Sequence, residues 1–160
     1  MAYRSTSVVR FVAAEPEVIW PLVSDPRWIS AAGDHPVTVE PDAGSSASLT
    51  AVGDSWVEVH GEECDNDRVR WRVVASEAPG LIRIAGSQRG VRQVAEYKIV
   101  STPGGALVKE RIVFSPSFAG RPGQQVLPWL LLGTGLLAKF ASGMNDIFDS
   151  LDKAVAAPKG

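Results

Sequence analysis

What most constrains this chain is a change of hydrophobic period about two thirds of the way along it. From Ser55 to Ser115 apolar and polar residues alternate in five runs: Ser55–Glu63, Val69–Ser76, Leu81–Ser87, Val91–Val100 and Ala106–Ser115. Turn residues separate them, at Asp65-Asn66-Asp67, Ala78-Pro79-Gly80, Arg89-Gly90 and Pro103-Gly104-Gly105. Alternation with such spacing predicts an antiparallel meander. Thereafter Trp129, Gly133, Leu136, Leu137, Phe140, Met144, Ile147, Phe148, Leu151 and Val155 recur mostly three and four apart. That is the period of one amphipathic helix, of about 28–30 residues and roughly 42–45 Å.

The front of the chain adds two strands and two short helices. Ser5–Ala13 reads as a strand. A helix follows at Glu15–Ser24, with Pro16 in its first turn and an apolar face of Ile19, Leu22 and Val23. Asp25-Pro26 stops it, Arg27–Ala32 forms a second short helix ending at Gly33, and Val37–Glu40 is a short strand. The fold class is therefore α+β, with about seven strands. A helix is about 10 Å wide, whereas seven strands span about 30 Å. One helix cannot tile that face. The sheet must curl around it, and the space between fills with large side chains or stays open as a pocket. Asp42–Gly53 and Ser115–Gly123 read as loosely structured. Gly133, Gly135 and Gly143 imply either close packing of the long helix on the sheet or a helix softened to admit a ligand.

Several functions are disfavoured on composition. With 160 residues the chain fits a single domain over residues 1–160, and a net charge of −2 gives no drive toward nucleic acid. The lone Cys64 cannot form an internal disulfide, and the first residues lack a secretion pattern, which fits a cytoplasmic setting. The longest apolar stretch, Val126–Ala138, is shorter than the roughly 17 residues a membrane span needs. His35 and His60 lack metal spacing, and no nucleophile elbow or glycine-rich phosphate loop occurs. No metal and no cofactor are expected.

Alternation sorts the remaining candidates by face. In the last strand Glu110 shares a face with Val108, Ile112 and Phe114. Either twist or a neighbouring arginine relieves this carboxylate, or it is a polar anchor or general acid/base in the cavity with a raised pKa. Ala95, Tyr97 and Ile99 point inward, leaving Arg92, Glu96 and Lys98 outside. Tyr97 is a core filler or a ligand contact. Val69, Trp71 and Val73 share the inner face of their strand. In Ser55–Glu63 either face can be the inner one; if Trp56 points inward, Glu58 and His60 join Glu110 as polar groups of the pocket. Arg68, Arg70, Arg72, Arg83, Arg89 and Arg92 suit an outer face, paired with Glu96 and, if their face is outer, with Glu58 and Glu62. Trp20 reads as an anchor of the first helix.

The order of strand, helical Pro16–Pro26 with Trp28 following, Val52-Gly53-Asp54 opening a strand, meander and terminal helix resembles the START-like, Bet v 1-like (SRPBCC) superfamily, in particular its bacterial polyketide cyclase/dehydrase-like members. The resemblance covers nearly the whole chain. It implies a helix-grip fold, a seven-stranded antiparallel sheet gripping the C-terminal helix around a hydrophobic cavity. It also implies binding of a small hydrophobic molecule of lipid, polyketide or isoprenoid type, or alternatively a cyclase, aromatase or dehydratase acting there. Some relatives instead serve as protein-interaction modules. On the same resemblance Trp28 lies near the cavity entrance. Trp129, Leu132, Leu136 and Phe140, on the helix stretch nearest the Ser115–Gly123 loop, are candidates for its wall. The sequence is compatible with a homodimer.

Overall fold

The computed structural model describes residues 3–33, 37–61, 67–88, 90–116, 135 and 137–157. Strand β1 (Arg4–Val12) is followed by helices α1 (Pro16–Val23) and α2 (Pro26–Ala32), then β2 (Val37–Pro41) and β3 (Ser55–His60). The meander continues through β4 (Arg68–Glu77), β5 (Leu81–Gln88), β6 (Val91–Thr102) and β7 (Gly105–Pro116), and helix α3 (Leu137–Ala156) closes the chain. All seven strands pair antiparallel in the order β1-β7-β6-β5-β4-β3-β2. The first strand thus sits beside the last, while α1 and α2 carry the chain across to the far edge. This is the helix-grip architecture.

Alternation makes the sheet two-faced. Val69, Trp71 and Val73 of β4 and Ala95, Tyr97 and Ile99 of β6 are buried on the inner side. Arg68, Arg70 and Arg72 are exposed on the other. Outside, Arg83 pairs with Glu96 and Arg68 with Glu40, at 2.8 and 2.7 Å, and Arg70 pairs with Asp42. Val57 lies directly between Glu40 and Arg70 in the register. The stems of those long side chains leave it buried on an otherwise solvated face. Glu58 is not an outer partner, because its strand turns the Trp56 face inward.

The helices divide the inner face. α1 lies against β6, α2 against β2, and α3 against β1, α1 and α2. Met144, Phe148 and Leu151 of α3 are fully buried in the core beside Val12, Ile19 and Val108. Arg10 of β1 fastens this helix: it pairs with Asp149, bonds Asn145 at 3.1 Å and Asp152 at 3.4 Å, and stacks over the Phe148 ring at 5.4 Å. Asp25 does more than stop α1. It caps α2 by accepting the Arg27 amide at 2.9 Å.

The described α3 has 20 residues, about 30 Å; of the residues expected to precede it in the same helix only Gly135, at φ +87, is described. Two expectations require correction. Gly143 does not pack closely on the sheet, since a β-carbon there would meet open space. Gly133 lies outside the described residues. The span Asp42–Gly53 has no regular structure but is not loose. Asp54 accepts the amides of Ser46 and Ala51, both at 2.9 Å, and the Ser46 hydroxyl. Leu49, at φ +56, buries its side chain completely in the core.

The two faces predict different mutational costs. Phe148→Ala should lower stability by about 3–5 kcal/mol in urea denaturation. Phe11→Ala, on the outer face, should change it by no more than about 0.5 kcal/mol. Equal losses would contradict the assignment of faces.

Candidate ligand-binding site

β3 and β4 bring Trp56 and Trp71 directly opposite one another. Glu58, two residues beyond Trp56, is on the same inward face. Its carboxylate receives the Trp71 indole N–H on Oε2 at 2.9 Å and the Trp56 indole N–H on Oε1 at a longer 3.4 Å. His60 Nε2 stands 3.9 Å from Oε2. The Trp71 ring can lie this way because its partner on β5 is Gly86. A β-carbon at Gly86 would come within 2.8 Å of both the Trp71 ring and the Arg70 carbonyl. Burial pushes the Glu58 pKa up, while the two indole donors and His60 oppose that rise.

Two strands away, Tyr97 of β6 is directly opposite Glu110 of β7. Tyr97 is 6% exposed and Glu110 4%. The hydroxyl is close enough to favour the carboxylate form of Glu110. Even so, Tyr97 Oη and Glu110 Oε2 are buried without a hydrogen bond of normal geometry. Burial pushes the Glu110 carboxyl up to about 7. Burial and the charges of Glu110 and Glu58 raise the Tyr97 pKa well above its ordinary value, so the phenol keeps its proton. Among the described residues no arginine relieves Glu110, and twist does not expose it.

A partly open cavity of about 40 Å³ lies beside these groups. Val23 and Ser24 at the end of α1, Pro26 and Ile29 of α2, Trp56 and Glu58 of β3, Ile82 and Ile84 of β5, and Ala95 and Tyr97 of β6 line it. The hollow therefore sits beneath the short helices rather than beneath α3, whose own side chains fill the adjacent space. Its polar groups are few: Glu58, the Tyr97 hydroxyl, and Ser24, whose hydroxyl already bonds the Trp20 carbonyl at 2.6 Å.

The residues singled out from sequence fall into four sets. Trp56, Glu58, Trp71, Tyr97, Glu110 and, at its margin, His60 converge on one place. Phe114 and Phe140 instead stack at 4.9 Å in a separate cluster with Val91, Ile112 and Leu137. Trp28 and Trp20 are partly buried against the main core, and Trp28 does not line the cavity. Trp129, Leu132 and Leu136 lie outside the described residues. Sequence reasoning missed Ile82 and Ile84, although their alternation in β5 signals an inner face. It also missed Ser24, Pro26 and Ile29, whose placement depends on how α1 and α2 cross the sheet. Among the described residues no three metal-ligating side chains cluster, and no helix is long and apolar enough to cross a membrane.

Residues 3–154 match the family described as polyketide cyclase/dehydrase and lipid transport, and the chain belongs to that family. Membership supports a ligand-binding or cyclase-type role without specifying one. The fold is shared with norcoclaurine synthase from Thalictrum flavum, solved in complex with dopamine and hydroxybenzaldehyde: 16% identity, 99% of this chain and 90% of that one, TM-score 0.66. Protein Ms6760 from Mycobacterium smegmatis is similar at 16% identity, 97% and 92% coverage and TM-score 0.62. Protein CV1439 from Chromobacterium violaceum is similar at 13% identity, 94% and 96% coverage and TM-score 0.62. No curated protein sequence matches the chain.

Burial of Glu110 has a signed consequence for stability. Its folded pKa lies above the ordinary value of 4.5, so the folded state holds the proton more tightly than the unfolded state. Stability is greatest below about 4.5 and falls as pH rises through about 7, by about 3 kcal/mol at the upper limit. Glu110→Gln should therefore raise the melting temperature at pH 8 and have little effect at pH 4.5. A wild-type-minus-variant difference that stays flat across this window would refute the assignment.

Proposed function

We propose that this chain binds a small, largely apolar molecule whose polar end enters the cavity beneath α2. Glu58 and Tyr97 act as its anchors, and Glu110 stands behind Tyr97. One observation carries this reading. The Tyr97 hydroxyl and one oxygen of Glu110, Oε2, are buried without a hydrogen bond of normal geometry beside an apolar cavity, where an unmade hydrogen bond costs about 1–3 kcal/mol. Such groups are kept in a core when something else completes them. Ligands of lipid, polyketide or isoprenoid type, with an apolar body and few polar groups, suit these walls. A cavity of about 40 Å³ accepts a functional group or a small ring substituent rather than a whole ligand of that kind.

A catalytic reading, as a cyclase, aromatase or dehydratase, rests on Glu110 itself. A carboxyl whose pKa lies at about 7 can both give and take a proton near neutral pH, as a general acid/base must. Glu110 does not line the cavity, so in this reading the proton passes by way of Tyr97. Glu110→Gln separates the two readings: a pure binder keeps its ligand, whereas an enzyme loses turnover.

Ligand binding is tested with the purified full chain. Mass spectrometry of organic extracts should reveal a retained apolar compound, and toluene should quench or shift the tryptophan fluorescence. Ala95→Leu, which fills the cavity from β6, should weaken toluene binding at least about fivefold. Empty extracts together with no response to toluene would end this proposal.

A further inference from the structure

We propose that the polar end of the ligand is a cationic amine, received between Glu58 and Tyr97; this rests on the cavity reading above. The argument is one of donors and acceptors. An indole N–H can only donate. Trp56 and Trp71 each direct one at Glu58, on different oxygens, so both oxygens are held as acceptors. Whatever Glu58 offers the cavity is further acceptor capacity. Tyr97 lines the same cavity with its oxygen unpartnered, and the Glu110 Oε2 behind it is unpartnered too.

Positive charge is what this lining lacks. Among the described residues no lysine or arginine lines the cavity, and His60 Nε2 stands 3.9 Å from the Glu58 carboxylate. A ligand carboxylate would be repelled by Glu58, and a neutral carbonyl would find one donor, the Tyr97 hydroxyl, but leave the carboxylate without a counter-charge. An ammonium brings three donors and a compensating charge. Burial raises the pKa of Glu58 and, separately, of Glu110, as it does for a carboxylate enclosed without a cation. The volume also fits: one ammonium on one apolar substituent matches a small cavity better than a branched polar group does.

Benzylamine, benzyl alcohol and benzoate share a ring and differ only in this respect. Titrated into the full chain at pH 7, with the Trp56 and Trp71 indole N–H resonances assigned from Trp→Phe variants, benzylamine should bind about tenfold more tightly than benzyl alcohol and shift both resonances. Benzoate should bind least. Glu58→Gln should reduce the amine-to-alcohol ratio to about twofold or less, and Tyr97→Phe should reduce it about threefold. Should Glu58→Gln not fold, Tyr97→Phe decides alone. An alcohol or benzoate that binds as tightly as the amine, or a ratio unchanged in the folded variants, overturns the inference. Toluene or benzyl alcohol binding without amine preference leaves the cavity reading standing. No response to toluene, alcohol or amine brings down both.

Discussion

The structure depends on a mismatch of widths between an antiparallel sheet of seven strands and the helices that cover it. Hydrogen bonding fixes the strand spacing, and alternation gives the sheet one continuous apolar face. No single helix is wide enough to shield it. The solution is division: α3 covers the β1 side, α1 lies against β6, and α2 lies against β2. Among the described residues the cavity is found where α1 and α2 meet over the sheet. Its position follows from how three cylinders share a curved surface, not from any one residue.

Around that seam the polar groups are only half satisfied. Glu58 is held by two indole donors, an arrangement that fixes both rings and keeps a carboxylate oriented inside the core. Tyr97 and Glu110, by contrast, are placed by strand register and left incomplete. A partly satisfied buried network destabilises a protein unless a partner finishes it. In the proposed binding role the two halves divide into scaffold and receptor: Trp56, Trp71 and Gly86 would hold the anchor, and the unpaired oxygens would receive the ligand.

Much of this was legible in the sequence because a period of two leaves little choice. Once Ala95, Tyr97 and Ile99 are on one face, pairing with β7 places Glu110 beside Tyr97. Strand β3 was ambiguous because both of its faces are shielded. Val57 is buried under the stems of ion-paired side chains, so its apolar character mimics an inner residue. The lining from Ser24, Pro26 and Ile29 was not legible, since helix crossing depends on tertiary packing. Phe114 shows the same limit. It shares the inner face with Tyr97 yet clusters elsewhere, with Phe140 of α3, because position along a strand matters as much as side. The expected start of the terminal helix near Trp129 lies outside the described residues.

Arg10 ties α3 to the edge strand through carboxylates that are largely solvent-facing, whereas Phe148 beneath it is fully enclosed. The two fastenings answer to different properties of the medium. Dissolved ions screen the first over a Debye length of about 8 Å at physiological strength and barely touch the second. Salt thus acts on the helix periphery while sparing its centre, and the protein's looseness at that edge becomes a function of the electrolyte around it.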